Sequence, residues 1–286
     1  MTTCVVRGGA GNQLFQLYAC YLVSQHTSSQ ITLDIDTYSH PSQISLGRQF
    51  EFASLAKALG MRPKKPVRVV FLRRLKMACQ LLLRHVAQRF PALFQHLGIV
   101  ASERADVSQF FASRLGKIRY LDGYFLNLPE FSSFEMQFEQ FLSHIKTELN
   151  GELPALPDFS GGSMSLHLRL GDFKTDSPDF MPRISALQSV LDSSGGGTIN
   201  LFSDEPELAI SLLSGLKNVK FNPIDVSLGT KPTLSLMARS GGLVCSRSTF
   251  SWWAASLVSS IGGQVWWPSE SLRSGALRPR QTWVLF

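Results

Sequence analysis

Apolar positions along the chain fall into short continuous runs that alternate with longer stretches of helical spacing. Residues 3–7 and 242–245 are short runs of the kind that form buried strands. Residues 14–25 and 250–257 instead repeat apolar side chains at intervals of three and four, which predicts helices. Because strands and helices alternate, the pattern predicts an α/β fold built on parallel sheets.

A third predicted strand, residues 163–170, has two faces of different character. Apolar residues alternate along it with polar ones, and His167 and Arg169 share the polar face. Polar groups are costly to bury in a parallel sheet without a partner, so we expect these two at the carboxyl edge, where open α/β sheets bind ligands. An arginine there can give a phosphate two hydrogen bonds. The alternative is an edge strand with one solvated face.

Two predicted helix starts carry groups that suit a nucleotide. The hydroxyl cluster at 246–251 can cap a helix whose free N–H groups and dipole favour an anion, although a capped core helix packed with tryptophan fits the same pattern. The strand at 198–203 leads into a second helix, with Ser203 as its predicted N-cap. Asp204 follows it, and either complements the helix dipole or accepts hydrogen bonds from a base or ribose.

A glycine-rich turn, residues 8–13, separates the first predicted strand from the first predicted helix. It lacks the third glycine of the dinucleotide fingerprint and is therefore a weak dinucleotide signal. Glycines allow backbone and ligand to approach closely, and Asn12 offers both a donor and an acceptor at that point.

Taken together and in this order, these segments resemble the alpha-1,2-fucosyltransferases of glycosyltransferase family 11. The matching segments span nearly the whole chain, at residues 8–16, 123–125, 167–173, 202–206 and 248–254. One departure from the family pattern concerns the positive charge at the expected binding site of the donor substrate. Many relatives carry two consecutive arginines, whereas here Leu170 follows Arg169 and is expected to point away from it.

The resemblance implies a GT-B-like α/β fold with two facing Rossmann-like domains, an acceptor-side domain at 1–155 and a GDP-fucose-binding domain at 156–286. It implies an inverting hexosyltransferase that moves L-fucose from GDP-fucose to the 2-hydroxyl of a terminal galactose, without a metal or other cofactor. The catalytic residues that it implies are Arg169, Asn12 and Asp172. The donor-binding residues that it implies are His167, Arg169, Asp204, Ser248, Thr249, Phe250 and Gly11.

The resemblance also suggests roles for these residues. Arg169 and the helix start at Ser248 would meet the charge of the departing diphosphate, and Asn12 would lie at the reacting centre. Asp172 would be the general base or would position Arg169. Two alternatives stay open: transfer from another GDP-sugar on the same scaffold, and a non-catalytic glycan-binding or membrane-associated module with exposed tryptophans.

Composition is compatible with an enzyme of surface-glycan biosynthesis, such as that of an O-antigen. At 286 residues and 44% hydrophobic, the chain is long enough for two domains, with a predicted seam near residues 150–162. The four cysteines have no pairing or metal-ligand spacing, and no leader or membrane anchor precedes the first strand. We therefore expect a bacterial-type enzyme in the cytoplasm, or peripheral on the inner face of the membrane.

The positive charge of the chain is concentrated in one segment. The formal net charge is +7, and residues 52–102 hold ten of the 28 Lys and Arg residues with no Asp or Glu. Residues 69–90 also have helical apolar spacing, within a predicted basic helical segment at 67–98. A basic amphipathic helix is typical of a membrane-surface or partner-binding element, and residues 64–89 are the predicted contact. A solvated basic face is the alternative, and no nucleic-acid motif accompanies the charge.

Overall fold

Two parallel sheets divide the chain into two α/β units, Met1–Ile145 and Lys146–Phe286. The predicted class, with a Rossmann-like sheet in each of two units, is confirmed. The predicted domain boundary at 155/156 lies outside the described residues. The computed structural model describes residues 1–27, 30–64, 70–102, 115–129, 132–150, 163–171, 184–193, 197–269 and 277–286.

The first unit has a sheet with the strand order β3-β2-β1-β5-β4. Its described strands are β1 (Thr2–Val5), β2 (Ile31–Asp34), β3 (Arg62–Lys64), β4 (Ile99–Ser102) and β5 (Tyr120–Gly123). Its described helices are α1 (Ala10–Gln25), α2 (Pro41–Ser45), α3 (Ala53–Ala58), α4 (Val70–Arg89), α5 (Pro91–His96) and α6 (Glu135–Asn150), the last of which runs past the unit boundary. Short 3-10 helices lie at Asp36–Ser39, Leu115–Lys117 and Ser132–Phe134.

The second unit has a sheet with the strand order β11-β10-β9-β6-β7-β8. Its described strands are β6 (Met164–Leu168), β7 (Gly197–Ser203), β8 (Val219–Pro223), β9 (Gly242–Val244), β10 (Gln264–Trp267) and β11 (Val284–Leu285). Its described helices are α7 (Ile184–Ser193), α8 (Pro206–Leu213), α9 (Thr230–Ala238) and α10 (Thr249–Ser259), with a 3-10 helix at Val226–Leu228. The chain progresses from β6 to β8 on one side and then crosses to place β9 on the other side of β6.

Helix α1 begins earlier than the apolar spacing predicts, at Ala10 rather than at Leu14. Gly9 is its N-cap, and Gly8 has a positive φ of 83°, so these two glycines already complete the turn. The predicted glycine-rich loop is therefore shorter, and Asn12 belongs to the first helical turn.

The core of the first unit is built around α1, which is apolar on nearly all sides and buried from Leu14 to Val23. Tyr18 packs edge-on against Phe138 of α6 with ring centroids 5.6 Å apart, and lies 5.3 Å from Phe141. Its hydroxyl donates to the carbonyl of Phe134 at 3.2 Å, so the buried phenol is satisfied.

Helix α10 lies in the core of the second unit. Trp252 and Trp253 are both fully buried, and their rings meet edge to face with centroids 5.2 Å apart. Trp252 also contacts Trp283 at 5.7 Å and donates its indole N–H to the carbonyl of Arg278 at 2.7 Å. The helical spacing predicts burial of Trp253 but not of Trp252. Two fully buried tryptophans cannot form the exposed sugar-binding surface of the alternative prediction.

An ion pair anchors helix α4 to the first sheet. Asp34 and Asp36 are buried at the end of β2, and Lys76 Nζ lies 2.6 Å from Asp34 Oδ2 and 2.5 Å from Asp36 Oδ2. Gln80 also donates to Asp34 Oδ2 at 2.8 Å. Burial alone would lower the pKa of Lys76, but hydrogen bonds and charge from the two carboxylates outweigh it and raise that pKa.

Two negative findings concern the described residues as a whole. Among them, no helix is both long and apolar enough to cross a membrane. All four cysteines lie in the described part of the chain, and none forms a disulfide there.

Replacing Lys76 with methionine should destabilise the protein by about 2–4 kcal/mol, because it leaves two buried carboxylates without their cation. We expect less than for a fully buried pair, since the Lys76 side chain retains 23% exposure. Urea unfolding at neutral pH measures the change. Arg74→Met, at an exposed position of the same helix, is the matched control and should stay within about 0.5 kcal/mol of the wild type. Equal effects of the two substitutions would contradict the anchoring role.

Candidate functional site

Polar side chains collect at the carboxyl edge of the second sheet, around the point where its strand order reverses. β6 lies between β7 and β9, and the crossover that precedes β9 makes the β6/β9 junction the topological switch point. Open α/β sheets bind ligands in the crevice that such a point creates. His167 on β6 and residues 246–248, directly after β9, lie at this junction.

His167 is held at this junction by two serine hydroxyls, one of which a third serine supports. Its Nδ1 makes a short hydrogen bond with Ser251 Oγ and lies 3.3 Å from Ser246 Oγ. Ser246 Oγ is in turn 3.0 Å from Ser251 Oγ. Ser248 Oγ accepts the backbone N–H of Ser251 at 3.0 Å and donates to Ser251 Oγ at 3.1 Å. All four side chains are buried, and His167 is 7% exposed.

Counting the protons in this network assigns the tautomer of His167. If Nδ1 carries no proton, Ser251 donates to it and Ser246 donates to Ser251, so every hydroxyl proton has an acceptor. If Nδ1 carries the proton, one of these two hydroxyl protons has no acceptor within the described chain. We therefore place the proton on Nε2, which has no hydrogen-bond partner among the described residues.

Burial, followed by the positive charge of Arg169, lowers the pKa of His167 from 6.5 to about 4, while Asp204 opposes the shift. The imidazole is therefore neutral at pH 7, and its Nε2–H is a donor rather than a cation. A buried, neutral ring whose donor has no acceptor in the described part of the chain is typical of a group that serves a ligand.

The start of α10 adds further donors beside His167. Ser248 caps the helix through the N–H of Ser251, as the sequence predicts. The backbone N–H groups of Thr249 and Phe250 have no acceptor in the described chain, as is usual for a first helical turn. The ring of Phe250 lies 5.8 Å from that of His167, so the helix start and the imidazole are neighbours. Together with the helix dipole, these groups favour an anion.

Asp204 fixes the loop that carries Arg169. The carboxylate accepts the backbone N–H of Leu170 at 2.8 Å and that of Gly171 at 3.2 Å. A Cβ at residue 171 would lie 2.9 Å from Asp204 Oδ2, so only glycine fits this bridge without a shift. The structure thus gives Asp204 a positioning role, and its contact with a nucleoside stays a prediction.

The structure tests two local predictions in this region, of which one is confirmed and one is wrong. Leu170 is fully buried in the core of the second unit, pointing away from half-buried Arg169 as expected. The predicted N-cap Ser203 is wrong: the cap of α8 is Glu205, which has no side-chain capping bond. Ser203 Oγ accepts the backbone N–H of Glu205 instead, because the chain turns for two residues before Pro206 opens the helix.

The predicted residues of the first unit lie in the first turn of α1. Gly11 is buried and Asn12 is half-buried. A Cβ at Gly8 would come within 2.8 Å of Asn12 Nδ2, so this glycine leaves room for the amide. Gln13 is structural, since it donates to the carbonyl of Gln49 at 2.7 Å and accepts the N–H of Glu51 at 2.9 Å.

The switch point of the first sheet, between β1 and β5, carries four further residues, Arg7, Gln16, Asp122 and Tyr124. The sequence patterns assign no role to any of them. Arg7 Nη2 is 3.1 Å from Asp122 Oδ1, and the Arg7 guanidinium lies 5.1 Å from the centre of the Tyr124 ring. Gln16 joins the two strand ends by accepting the N–H of Arg7 and donating to the carbonyl of Gly123. The position of Arg7 at a strand end, like that of Arg169, is the signal that could have found it.

The structure therefore groups the predicted residues by unit. His167, Arg169, Asp204, Ser248, Thr249 and Phe250 collect at one edge of the second sheet. Asn12 and Gly11 belong to the first unit, and Asp172 lies outside the described residues. No group of three or more His, Cys, Asp or Glu side chains within the described ranges could hold a metal ion.

Comparisons with known proteins give structural likenesses only. No model of a protein family matches the chain, and no curated protein matches it in sequence. Fucosyltransferase NodZ from Bradyrhizobium has a TM-score of 0.49 at 14% identity over 90% of this chain and 93% of its own. POFUT1 in complex with GDP-fucose has a TM-score of 0.43 at 12% identity over 100% and 98%. E. coli heptosyltransferase WaaC has a TM-score of 0.41 at 15% identity over 100% and 93%.

The buried imidazole should make stability depend on pH. Because the pKa of His167 is about 4 in the folded chain and near 6.5 in the unfolded chain, only the unfolded state takes up the proton between these values. Stability should therefore fall as pH drops from 6.5 towards 4, and this residue should contribute about 2 kcal/mol of loss by pH 5.

Urea unfolding of the wild type and of His167→Gln at pH 7 and pH 5 measures the contribution of His167. The other titrating groups are the same in both proteins, so their effects cancel when the two changes in unfolding free energy are subtracted. His96→Gln, at an exposed position, should leave the pH dependence unchanged. A wild-type pH dependence that survives in His167→Gln would show that another group carries it.

Proposed function

We propose that this protein is an inverting glycosyltransferase that moves L-fucose from GDP-fucose to the 2-hydroxyl of a terminal galactose on a glycan. The observation that carries the proposal is the cluster of donors at the β6/β9 switch point. It comprises the Nε2–H of buried His167 and the N–H groups of Thr249 and Phe250. The motif resemblance supplies the donor sugar and the linkage.

The donor cluster suits the diphosphate of a nucleotide sugar. Transfer breaks the bond between the anomeric carbon of fucose and the β-phosphate oxygen, and the electron pair leaves with GDP. Negative charge therefore grows on the diphosphate, where fixed donors stabilise the transition state more than the ground state. Arg169, on a loop that Asp204 braces, would neutralise this charge, and the neutral donors would orient it.

The acceptor half of the reaction needs a nucleophile and a base. The 2-hydroxyl oxygen of galactose forms the new bond to the anomeric carbon from the opposite face, which inverts its configuration. Its proton passes to a general base, for which Asp172 is the proposed carboxylate. Asn12 is the proposed polar contact at the reacting centre, since its half-buried amide lies at the carboxyl edge of the first sheet.

The pure protein incubated with GDP-fucose and a panel of β-galactosides tests the proposal directly. We expect release of GDP and a product whose NMR spectrum shows fucose on the galactose 2-hydroxyl. Equal transfer from another GDP-sugar would replace the donor assignment. GDP binding without transfer to any acceptor would favour a non-catalytic nucleotide-binding module, and no GDP binding would overturn the site itself.

Arg169→Ala should lower kcat/KM by about 10²–10³-fold, because one fixed charge at the leaving group is lost. Arg169→Lys should recover only part of the activity, since an ammonium group lacks the planar fork. The exposed Arg239 of the same unit provides a matched control, and Arg239→Ala should keep wild-type kinetics. If folded Arg169→Ala retains more than about a tenth of wild-type kcat/KM, Arg169 does not carry this role.

Activity should survive removal of divalent ions. We assign neutralisation of the leaving group to Arg169 and to the first turn of α10, so the reaction should proceed in EDTA at close to its normal rate. Initial rates with EDTA, with EDTA plus excess Mg²⁺ and with EDTA plus excess Mn²⁺ provide the measurement. A rate that collapses in EDTA and returns with either ion would require a metal at the diphosphate.

A further inference from the structure

Helix α4 turns Lys76 and Gln80 towards the protein and a row of apolar side chains outward. Lys76 and Gln80 bind the buried carboxylates at the end of β2, and Ala87 is buried on the same side. At about 100° per residue, these three positions lie about 140–180° around the helix from Phe71. An ordinary surface helix has the opposite arrangement, with its apolar stripe against the core.

The outward side of α4 is a narrow apolar stripe. Phe71, Leu75 and Leu82 fall within about 40° of one another around the helix axis, and Val86 widens the stripe to about 60°. Their exposed fractions are 71%, 51%, 66% and 36%. Phe90, which follows α4, and two leucines in or directly after α5 are exposed as well. We call the exposed apolar residues on this stripe and beside it, together with Phe90 and those two leucines, the outer face: Phe71, Leu72, Leu75, Leu81, Leu82, Val86, Phe90, Leu93 and Leu97.

Basic residues accompany the outer face, and acidic ones do not. Arg74 and Arg89 are exposed on α4, and the segment 52–102 contains no Asp or Glu. On neighbouring elements of the same segment, Lys57, Arg62 and Lys64 are also exposed. A row of exposed apolar side chains of this length is typical of an interaction surface.

We propose that the outer face of α4–α5 lies in the interface of an anionic lipid membrane. Exposed apolar side chains flanked by arginine are what an interfacial helix presents to headgroups and acyl chains. A second copy of this chain would bring the same positive charge to the contact, which opposes pairing. A lipid surface with anionic headgroups supplies both the apolar phase and the opposite charge. This inference rests on surface residues of the first unit and does not depend on the proposed reaction.

Co-sedimentation of the full chain with vesicles tests the proposal. Vesicles of phosphatidylcholine with phosphatidylglycerol should bind the protein, and vesicles of phosphatidylcholine alone should bind it much less. Because each basic residue strengthens such binding about fivefold, Arg74→Gln with Arg89→Gln should weaken it by more than tenfold at low salt. Added salt should weaken wild-type binding in the same direction. Equal binding to both vesicle types would overturn the proposal.

The apolar half of the contact needs its own variant. Phe71→Gln, Leu75→Gln and Leu82→Gln together should abolish binding, even with the basic residues intact. The matched control places three glutamines at exposed apolar positions elsewhere, Ile44, Met136 and Ile261, and should bind as the wild type does. Loss of binding in both triple variants, with both still folded by circular dichroism, would contradict a defined face.

Sedimentation velocity without lipid distinguishes the other occupant. A monomeric wild type supports the lipid assignment. A wild-type dimer that dissociates in the Phe71/Leu75/Leu82 variant would show that a second copy of the chain covers the outer face. That result would overturn the lipid assignment. If that variant fails to fold, the arginine pair and the salt dependence still decide the outcome.

Discussion

The hydrogen bond between His167 and Ser251 is the contact on which the candidate site depends. It joins β6 to the first turn of α10 across the switch point of the second sheet. Ser251 also gives its backbone N–H to Ser248, so the same few hydroxyls cap the helix and set the imidazole tautomer. The capped helix start and the Nε2–H tautomer of His167 both present N–H donors, rather than acceptors, to a ligand. An anion is the ligand that such a set prefers.

A second constraint holds Arg169 at this edge. Arg169 is followed by Leu170, which is buried in the core, and by Gly171, which lies against the carboxylate of Asp204. The side chain of Leu170 and the backbone bonds to Asp204 therefore restrain the loop from two directions. No second arginine directly follows Arg169 in the sequence, and a restrained guanidinium loses less freedom on binding a diphosphate than a mobile one would. The departure at residue 170 is in this way compatible with donor binding.

Much of the fold could be predicted because it depends on local periodicity. Short apolar runs and stretches of helical spacing in the sequence correctly predict the strands that bear His167 and Ser203, as well as helix α10. Contacts between distant residues could not be predicted. The burial of Trp252 depends on the carbonyl of Arg278, and Asp204 bonds a loop 34 residues away. Likewise, the role of a polar residue at a strand end depends on which strand becomes its neighbour in the sheet.

Helix α4 shows the limit of periodicity most clearly. Apolar spacing identifies a helix, but it does not determine which side of that helix faces the protein. In this unit β2 ends in two buried carboxylates, and burying two negative charges without a cation would cost more than exposing several leucines. The helix that covers Asp34 and Asp36 must therefore supply Lys76 to the interior. Helical geometry then turns Phe71 and Leu82 outward, so the charge at one strand end determines the apolar surface on the far side of the helix.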